Sequence, residues 1–372
     1  VKQSVKQPGK QSVKQAQLAA SGPAPRALRY VPWLVALCLP LVVDANTSGN
    51  LAYCLLWAFS AVGLAAMWGY GGILSFGQTA FFGLAGYSYG IFTLNFGDTW
   101  FDAWLGLGAG IAVSVVVAAL IGYMIFFGRI KGVFIGIVTL SVTLVLETFM
   151  AQTAGPQWAI GEARLNGYNG MGGMPPLTIP WPGGPLTLEN TSFYYLVLIL
   201  LIAVYAFMRK LLDGPFGLTL IAIRENPQRA EMLGVDIRLH QLLVFVLGGT
   251  LGGLSGALYT IWGSYITPST MGLTAAAMPV IWVATSGRKS IGGAIVGTAL
   301  LVWLSQNLAV YGSQYALILM GAILLVVVLA APEGLLPFVA RQLRRFERER
   351  GLGNGRNRPC FDEPLKQEEG KS

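Results

Sequence analysis

Of the 25 lysines and arginines in the chain, 24 lie in residues 1–30, 128–132, 209–240, 286–290 and 332–372, with apolar runs between these segments. Threaded through a bilayer, the runs put all five segments on one side and leave only Arg164 on the other. An excess of Lys and Arg in cytoplasmic loops orients polytopic membrane proteins, so the pattern predicts both insertion and direction. The expectation is an all-α integral membrane bundle in a bacterial inner membrane, with the N and C termini in the cytoplasm.

Composition supports lipid as the solvent. Apolar residues make up 54% of the 372 and charged residues 11%, against about a quarter charged in soluble domains. The net charge of +8 comes from residues flanking apolar runs rather than lining one face. Attraction to anionic lipid headgroups accounts for that placement, and nucleic acid is not an expected partner. Cys38, Cys54 and Cys360 show no metal-ligand spacing, and a single His240 cannot complete a metal site. Gly287-Arg288-Lys289-Ser290 ends like a phosphate loop, but no glycine stands five residues before Gly287. No HExxH, GxSxG or paired Cys/His cluster is present, so the chain is not expected to be an enzyme or to hold a metal or cofactor of its own.

Ten apolar runs follow a basic tail: 30–43, 51–68, 73–94, 103–127, 133–151, 193–208, 241–262, 275–285, 291–310 and 315–331. About ten spans return the chain to its starting side. Several runs fall short of the ~20 residues that a perpendicular helix needs, notably 275–285, so broken or half-length helices buried in protein are expected. The domain reading is a disordered basic tail at 1–29, a transmembrane domain at 30–338 and a charged cytoplasmic tail at 339–372. The outer connection 152–192 is rich in Gly and Pro; a lid or rim and a plain spacer both fit it.

Four features bear on function. Gly248, Gly252 and Gly256 recur every four residues, with Gly249 and Gly253 beside them, and Gly86/Gly90, Gly132/Gly136 and Gly293/Gly297 repeat the spacing. Such stripes let helix backbones touch, and a bundle packed this way can also shear. The run Gly69 to Thr79 combines helix-loosening glycines with Ser75, Gln78 and Thr79 at i, i+3 and i+4, which one helical face would carry into the bundle. That face either lines a solute cavity at a helix break or bonds a neighbouring helix. Glu147 is an acid within an apolar run near its outer end, suited to a substrate or proton role or to snorkelling toward water. In the polar stretch 213–241, Asn226-Pro227 predicts a helix start, Gly234 a left-handed stop and Asp236 the next cap, giving a short exposed helix with Arg229 and Glu231. A helix that short needs tertiary support, such as a docked partner.

The run Gly69 to Gly90, Ile130-Lys131-Gly132 through Ile137 to Leu140, Ala222-Ile223-Arg224-Glu225-Asn226 through Leu233-Gly234, and Pro332 to Pro337 together resemble the second permease subunit of branched-chain amino acid ABC importers. The resemblance covers residues 60–340. It implies pairing with a second permease subunit as a heterodimer, two cytoplasmic ATPase subunits that bind the ATP, and a periplasmic solute-binding protein. By that likeness Arg224, Glu225, Asn226, Arg229, Glu231 and Gly234 form the element that couples to the ATPases; the polar residues themselves, Ser75, Gln78, Thr79 and Glu147, give the expected solute pathway. Permeases for urea or short amides are close relatives, and Ile281-Trp282-Val283-Ala284 leans toward them. A secondary transporter or channel acting alone is the rival from another class.

Overall fold

The computed structural model describes residues 31–97, 99–181, 184–310 and 312–330. The basic tail at 1–29, the charged tail at 339–372, the Pro332 to Pro337 motif and Cys360 lie outside the described residues.

Each of the ten apolar runs contains a helix among its described residues. In chain order these are α1 (Val31–Cys38), α2 (Ala45–Ala65), α3 (Gln78–Phe96), α4 (Trp100–Phe127), α5 (Val133–Ala151), α6 (Asn190–Leu212), two short helices α7 (Pro215–Glu225) and α8 (Pro227–Met232), then α9 (Ile237–Gly263), α10 (Leu273–Ser286), α11 (Ile291–Ala309) and α12 (Ser313–Ala330). Among the described residues, six are long and apolar enough to cross a membrane: α2 with its extension to Tyr70, α4, α5, α6, α9 and α11. The others are shorter or less apolar, and α10 has 14 residues with Pro279 inside it.

Side-chain caps fix several starts. Asp44 accepts the Thr47 amide at 3.2 Å and its hydroxyl at 2.6 Å to open α2. The Thr99 amide donates to Asp102 at 2.8 Å to open α4, and Ser290 accepts the Gly293 amide at 3.1 Å to open α11. Each supplies a partner for backbone groups that the first turn of a helix leaves free.

Helix α9 is the axis of the bundle. It packs against α2, α3 and α4, while α6 and α11 close on the far side of α2 and α5 stands at the edge. Glycine decides this arrangement. A Cβ on Gly248 would enter Met67, one on Gly252 would come within 2.6 Å of Gln78, and one on Gly256 would strike the Phe82 backbone. Gly249 and Gly253 give the next strip of the same helix to Ala118 and Ser114 of α4. With no methylene between them, helix backbones gain contact area that larger residues would forbid. The Gly132/Gly136 pair behaves differently: Gly132 is at φ +60° with open space around it, so it forms the turn into α5 instead of a packing face.

The described residues of the 152–192 connection are partly extended, which its Gly and Pro content did not predict. Ala159–Ile160 pairs with Ala163–Arg164, Thr178–Trp181 with Gly184–Thr187, and Met171–Gly172 with Tyr265–Ile266 after α9. Trp104 and Tyr89 donate to the carbonyls of Thr178 and Pro175 at 2.9 and 2.8 Å, which ties the loop down on α4 and α3. At the opposite end of the bundle the described basic segments 128–132, 209–240 and 286–290 gather, as the charge pattern requires.

Candidate functional site

The span that begins at Ala45 does not end as an ordinary helix. Residues Ala66–Tyr70 widen into a π turn, in which the Gly71 amide donates to the Ala66 carbonyl at 3.2 Å. The chain then runs without helical structure from Gly72, at φ +70°, until α3 starts at Gln78. This is the expected helix break, with one correction. Ser75 lies in the irregular segment, so Ser75, Gln78 and Thr79 do not share a helical face. Gly71 and Gly72 weaken the helix through their backbone freedom, Gly72 turns left-handed, and the helix restarts three residues later than the spacing of Ser75, Gln78 and Thr79 suggested.

A break inside a bundle must find partners for its backbone. The Phe76 amide donates to the Thr139 hydroxyl at 3.1 Å, and the Thr143 hydroxyl donates to the Phe76 carbonyl at 3.3 Å. Ser75 accepts the Gly77 amide at 3.1 Å. Thr139, Thr143 and Glu147 stand at i, i+4 and i+8 along α5, so one strip of that helix serves the break and then carries the acid toward the 152–192 connection. Glu147 is half-buried, and a Cβ on Gly272 would come within 2.8 Å of its Oε1. It makes no hydrogen bond or ion pair among the described residues and is not brought against Gln78.

Gln78 and Thr79 are buried, and neither the Gln78 amide atoms nor the Thr79 hydroxyl has a hydrogen-bond partner among the described residues. They are joined by Ser60 on α2, Thr285 and the Trp282 indole N–H on α10, and Thr298 on α11. Helix register puts these groups together. Ser255 bonds the Leu56 carbonyl at 2.7 Å, Gly252 and Gly256 lie on Gln78 and Phe82, and Gly297 lies on Ser286. Trp57 stacks on Phe82 at 4.6 Å and meets Trp282 at 5.2 Å. The result is an aromatic layer of Trp57, Phe82, Tyr259 and Trp282. One turn nearer the basic end along their own helices stand the buried, uncharged Ser60, Gln78, Thr79, Thr285 and Thr298, referred to below as the polar layer. Each buried polar group without a partner costs about 1–3 kcal/mol. A folded protein keeps few of them without a use. In the sequence, the nearby glycines mark Gln78 and Thr79. The isolated hydroxyls on other helices gave no pattern, whereas the four-residue spacing of Thr139, Thr143 and Glu147 was visible.

At the basic end, the corner between α7 and α8 takes its form from three caps. Asn226 accepts the Arg229 amide at 2.9 Å, Gly234 turns at φ +82°, and Asp236 accepts the Leu239 amide at 3.1 Å. Arg229 and Glu231 are exposed. Met232 and Leu233 project beside them, 90% and 78% exposed, in a segment too polar to enter lipid. Arg224 faces the other way and donates to the Gly69 carbonyl, while Glu225 accepts from the same guanidinium at 2.6 and 3.2 Å. That bond, then the Arg224 charge, holds the Glu225 carboxyl below its ordinary range. Among the described residues no cluster of His, Cys, Asp and Glu suited to a metal occurs.

A family model described as the permease component of branched-chain amino acid transport systems matches residues 46–328. The chain is 24% identical over 337 residues to the high-affinity branched-chain amino acid transport system permease protein LivM of Escherichia coli K12, covering 84% of this chain and 75% of that one. It is 29% identical over 165 residues to the probable branched-chain amino acid transport permease protein LivH of Methanocaldococcus jannaschii, covering 41% of this chain and 49% of that one. It is also 29% identical over 161 residues to the nucleoside ABC transporter permease protein NupC of Lactococcus lactis, covering 41% and 47% respectively. No solved structure matches the chain. A helical bundle with apolar spans, a helix broken beside a polar layer and a family match across nearly all the described helices place this chain among the branched-chain amino acid transport permease components, as a multi-pass membrane transport subunit and not an enzyme.

Proposed function

We propose that the chain is the transmembrane permease subunit of an ATP-driven importer in a bacterial inner membrane, moving branched-chain or other small amino acids inward. It works with a second permease subunit, two cytoplasmic ATPase subunits that bind the ATP, and a periplasmic solute-binding protein. The basic end of the bundle faces the cytoplasm. The observation that carries this reading is the corner at Asn226 to Gly234. Met232 and Leu233 expose apolar side chains to water beside the charges of Arg229 and Glu231, on a helix of six residues that would not hold its shape alone. Apolar surface rimmed by charge marks a protein contact, and the ATPase is the partner expected on that side. The break at 71–77 and the polar layer behind it form this subunit's share of the passage, and alternating access closes and opens it.

The test is recruitment followed by uptake. Membranes carrying this chain, a second permease and the ATPases should retain the ATPases and take up leucine when ATP and a binding protein are supplied. Met232→Glu together with Leu233→Glu should release the ATPases. Uptake by the chain alone, driven only by an ion gradient, would refute the proposal.

A second reading concerns the solute. Ser60, Gln78, Thr79, Thr285 and Thr298 carry no charge, which suits a neutral solute such as urea or a short amide better than a zwitterion. Competition of labelled leucine uptake by acetamide and urea decides between the two.

A further inference from the structure

We infer that Arg224 is a latch joining the ATPase-facing corner to the helix break, and that through it a movement of α7 and α8 reaches the passage. This rests on the permease reading above. The latch begins at the end of α2. The π turn and the bond from the Ile73 amide to the Met67 carbonyl, at 3.0 Å, carry the chain past the Gly69 carbonyl and leave it outside the helical ladder. Orphan carbonyls at a helix C-terminus attract cations, both as acceptors and through the helix dipole. Arg224, from the last turn of α7, fills that position.

The fit around it is close on every side. A Cβ on Gly72 would come within 2.7 Å of the Arg224 Cγ, so the bare, left-handed Gly72 is what lets the arginine stem lie along the break. Glu225 takes two of the guanidinium donors on one oxygen and so orients the fork toward Gly69. The Arg288 carbonyl also abuts Gly69, and its guanidinium stands 5.3 Å over the Trp68 ring. The end of the span is therefore gripped between two basic segments. Arg224 lies two residues before Asn226, the cap that sets the α7–α8 corner. Any rotation of that corner must pull the Gly69 carbonyl, release it, or bend Gly71 and Gly72. Six residues beyond Gly72, Gln78 opens α3 beside the polar layer. Arg224 is thus a positioning residue that touches neither ATP nor solute.

The experiment uses the assembled complex in proteoliposomes with the binding protein present, and reads solute taken up per ATP hydrolysed. Arg224→Ala is expected to keep the ATPases bound, because the side chain faces away from Met232 and Leu233, and to lower that ratio about tenfold, within the usual range of coupling between sites. Arg224→Lys, which keeps the charge and a donor, should recover part of the loss. Gly72→Ala removes no charge and alters no docking surface, yet it displaces the arginine stem and should uncouple in the same direction. A ratio within about twofold of wild type for both Arg224→Ala and Gly72→Ala overturns the latch. Loss of ATPase binding in Arg224→Ala assigns the residue to docking and overturns it as well. If the wild-type chain recruits no ATPase, the permease reading falls and takes the latch with it; if wild type couples and both variants couple equally well, the latch alone falls.

Discussion

Helices α2 and α5 are both apolar enough to span a membrane, yet they occupy opposite environments. In α2 and its extension, 78% of the most apolar stretch is buried in protein; in α5 the figure is 22%. Hydropathy does not separate them in the expected direction, because the helix facing outward is the more apolar of the two. Lipid and protein interior are similarly greasy, so burial inside a membrane bundle is not driven by removing carbon from water. What distinguishes the centre is close approach. Gly63 of α2 meets the Gly248 backbone of α9, whereas α5 turns Val133, Phe134, Ile137 and Val145 outward.

If close approach is the cause, a single methyl should matter greatly at the centre. Gly256→Ala puts a Cβ into the Phe82 backbone, which no rotamer change can relieve. The expected cost is about 3 kcal/mol or more. It should appear as loss of monodisperse protein in detergent and loss of uptake together. A folded, active Gly256→Ala protein would mean that α3 and α9 are not held at this distance.

The polar layer allows a sharper test, because stability and transport should move in opposite directions. Gln78→Met keeps the length of the side chain and removes two buried polar atoms that have no partner among the described residues. Thermal unfolding should show a gain of about 1–3 kcal/mol. ATP-driven uptake should fall. A substitution that stabilises and leaves uptake intact would make the layer a packing defect and not a piece of the passage.

Much of this was open to view in the amino-acid order, and the reason differs by region. The caps at Asn226, Gly234 and Asp236 depend on residues within three positions of each other, so local chemistry predicts them fully. The break at Gly71 and Gly72 is likewise local. Ser75 was placed on the wrong element because a spacing of three and four residues assumes a helix, and the glycines before it had already ended one. The partners of the break, Thr139 and Thr143, lie more than sixty residues away and bond through a single hydroxyl each. Their four-residue spacing is visible in the sequence, but nothing local names Phe76 as what they bond. The assembly of Ser60, Thr285 and Thr298 into one layer depends on the register of α2, α10 and α11, which glycine contacts set and sequence periodicity does not encode.

The smallest effect is also the cleanest control on the comparison. Gly108 sits in α4 on an exposed face, and a Cβ there meets nothing within 4 Å. It lies in the same class of helix as Gly256 and receives the same methyl. Without a neighbour to strike, alanine only reduces the freedom of the unfolded chain, and Gly108→Ala should stabilise by about 0.5–1 kcal/mol. Opposite signs for Gly256→Ala and Gly108→Ala in one unfolding assay would assign the difference to the neighbouring backbone alone, since residue type and helical setting are matched. A destabilised Gly108→Ala in the isolated chain would instead show that glycine serves α4 through backbone flexibility, and the contrast between centre and edge would then need an origin other than contact.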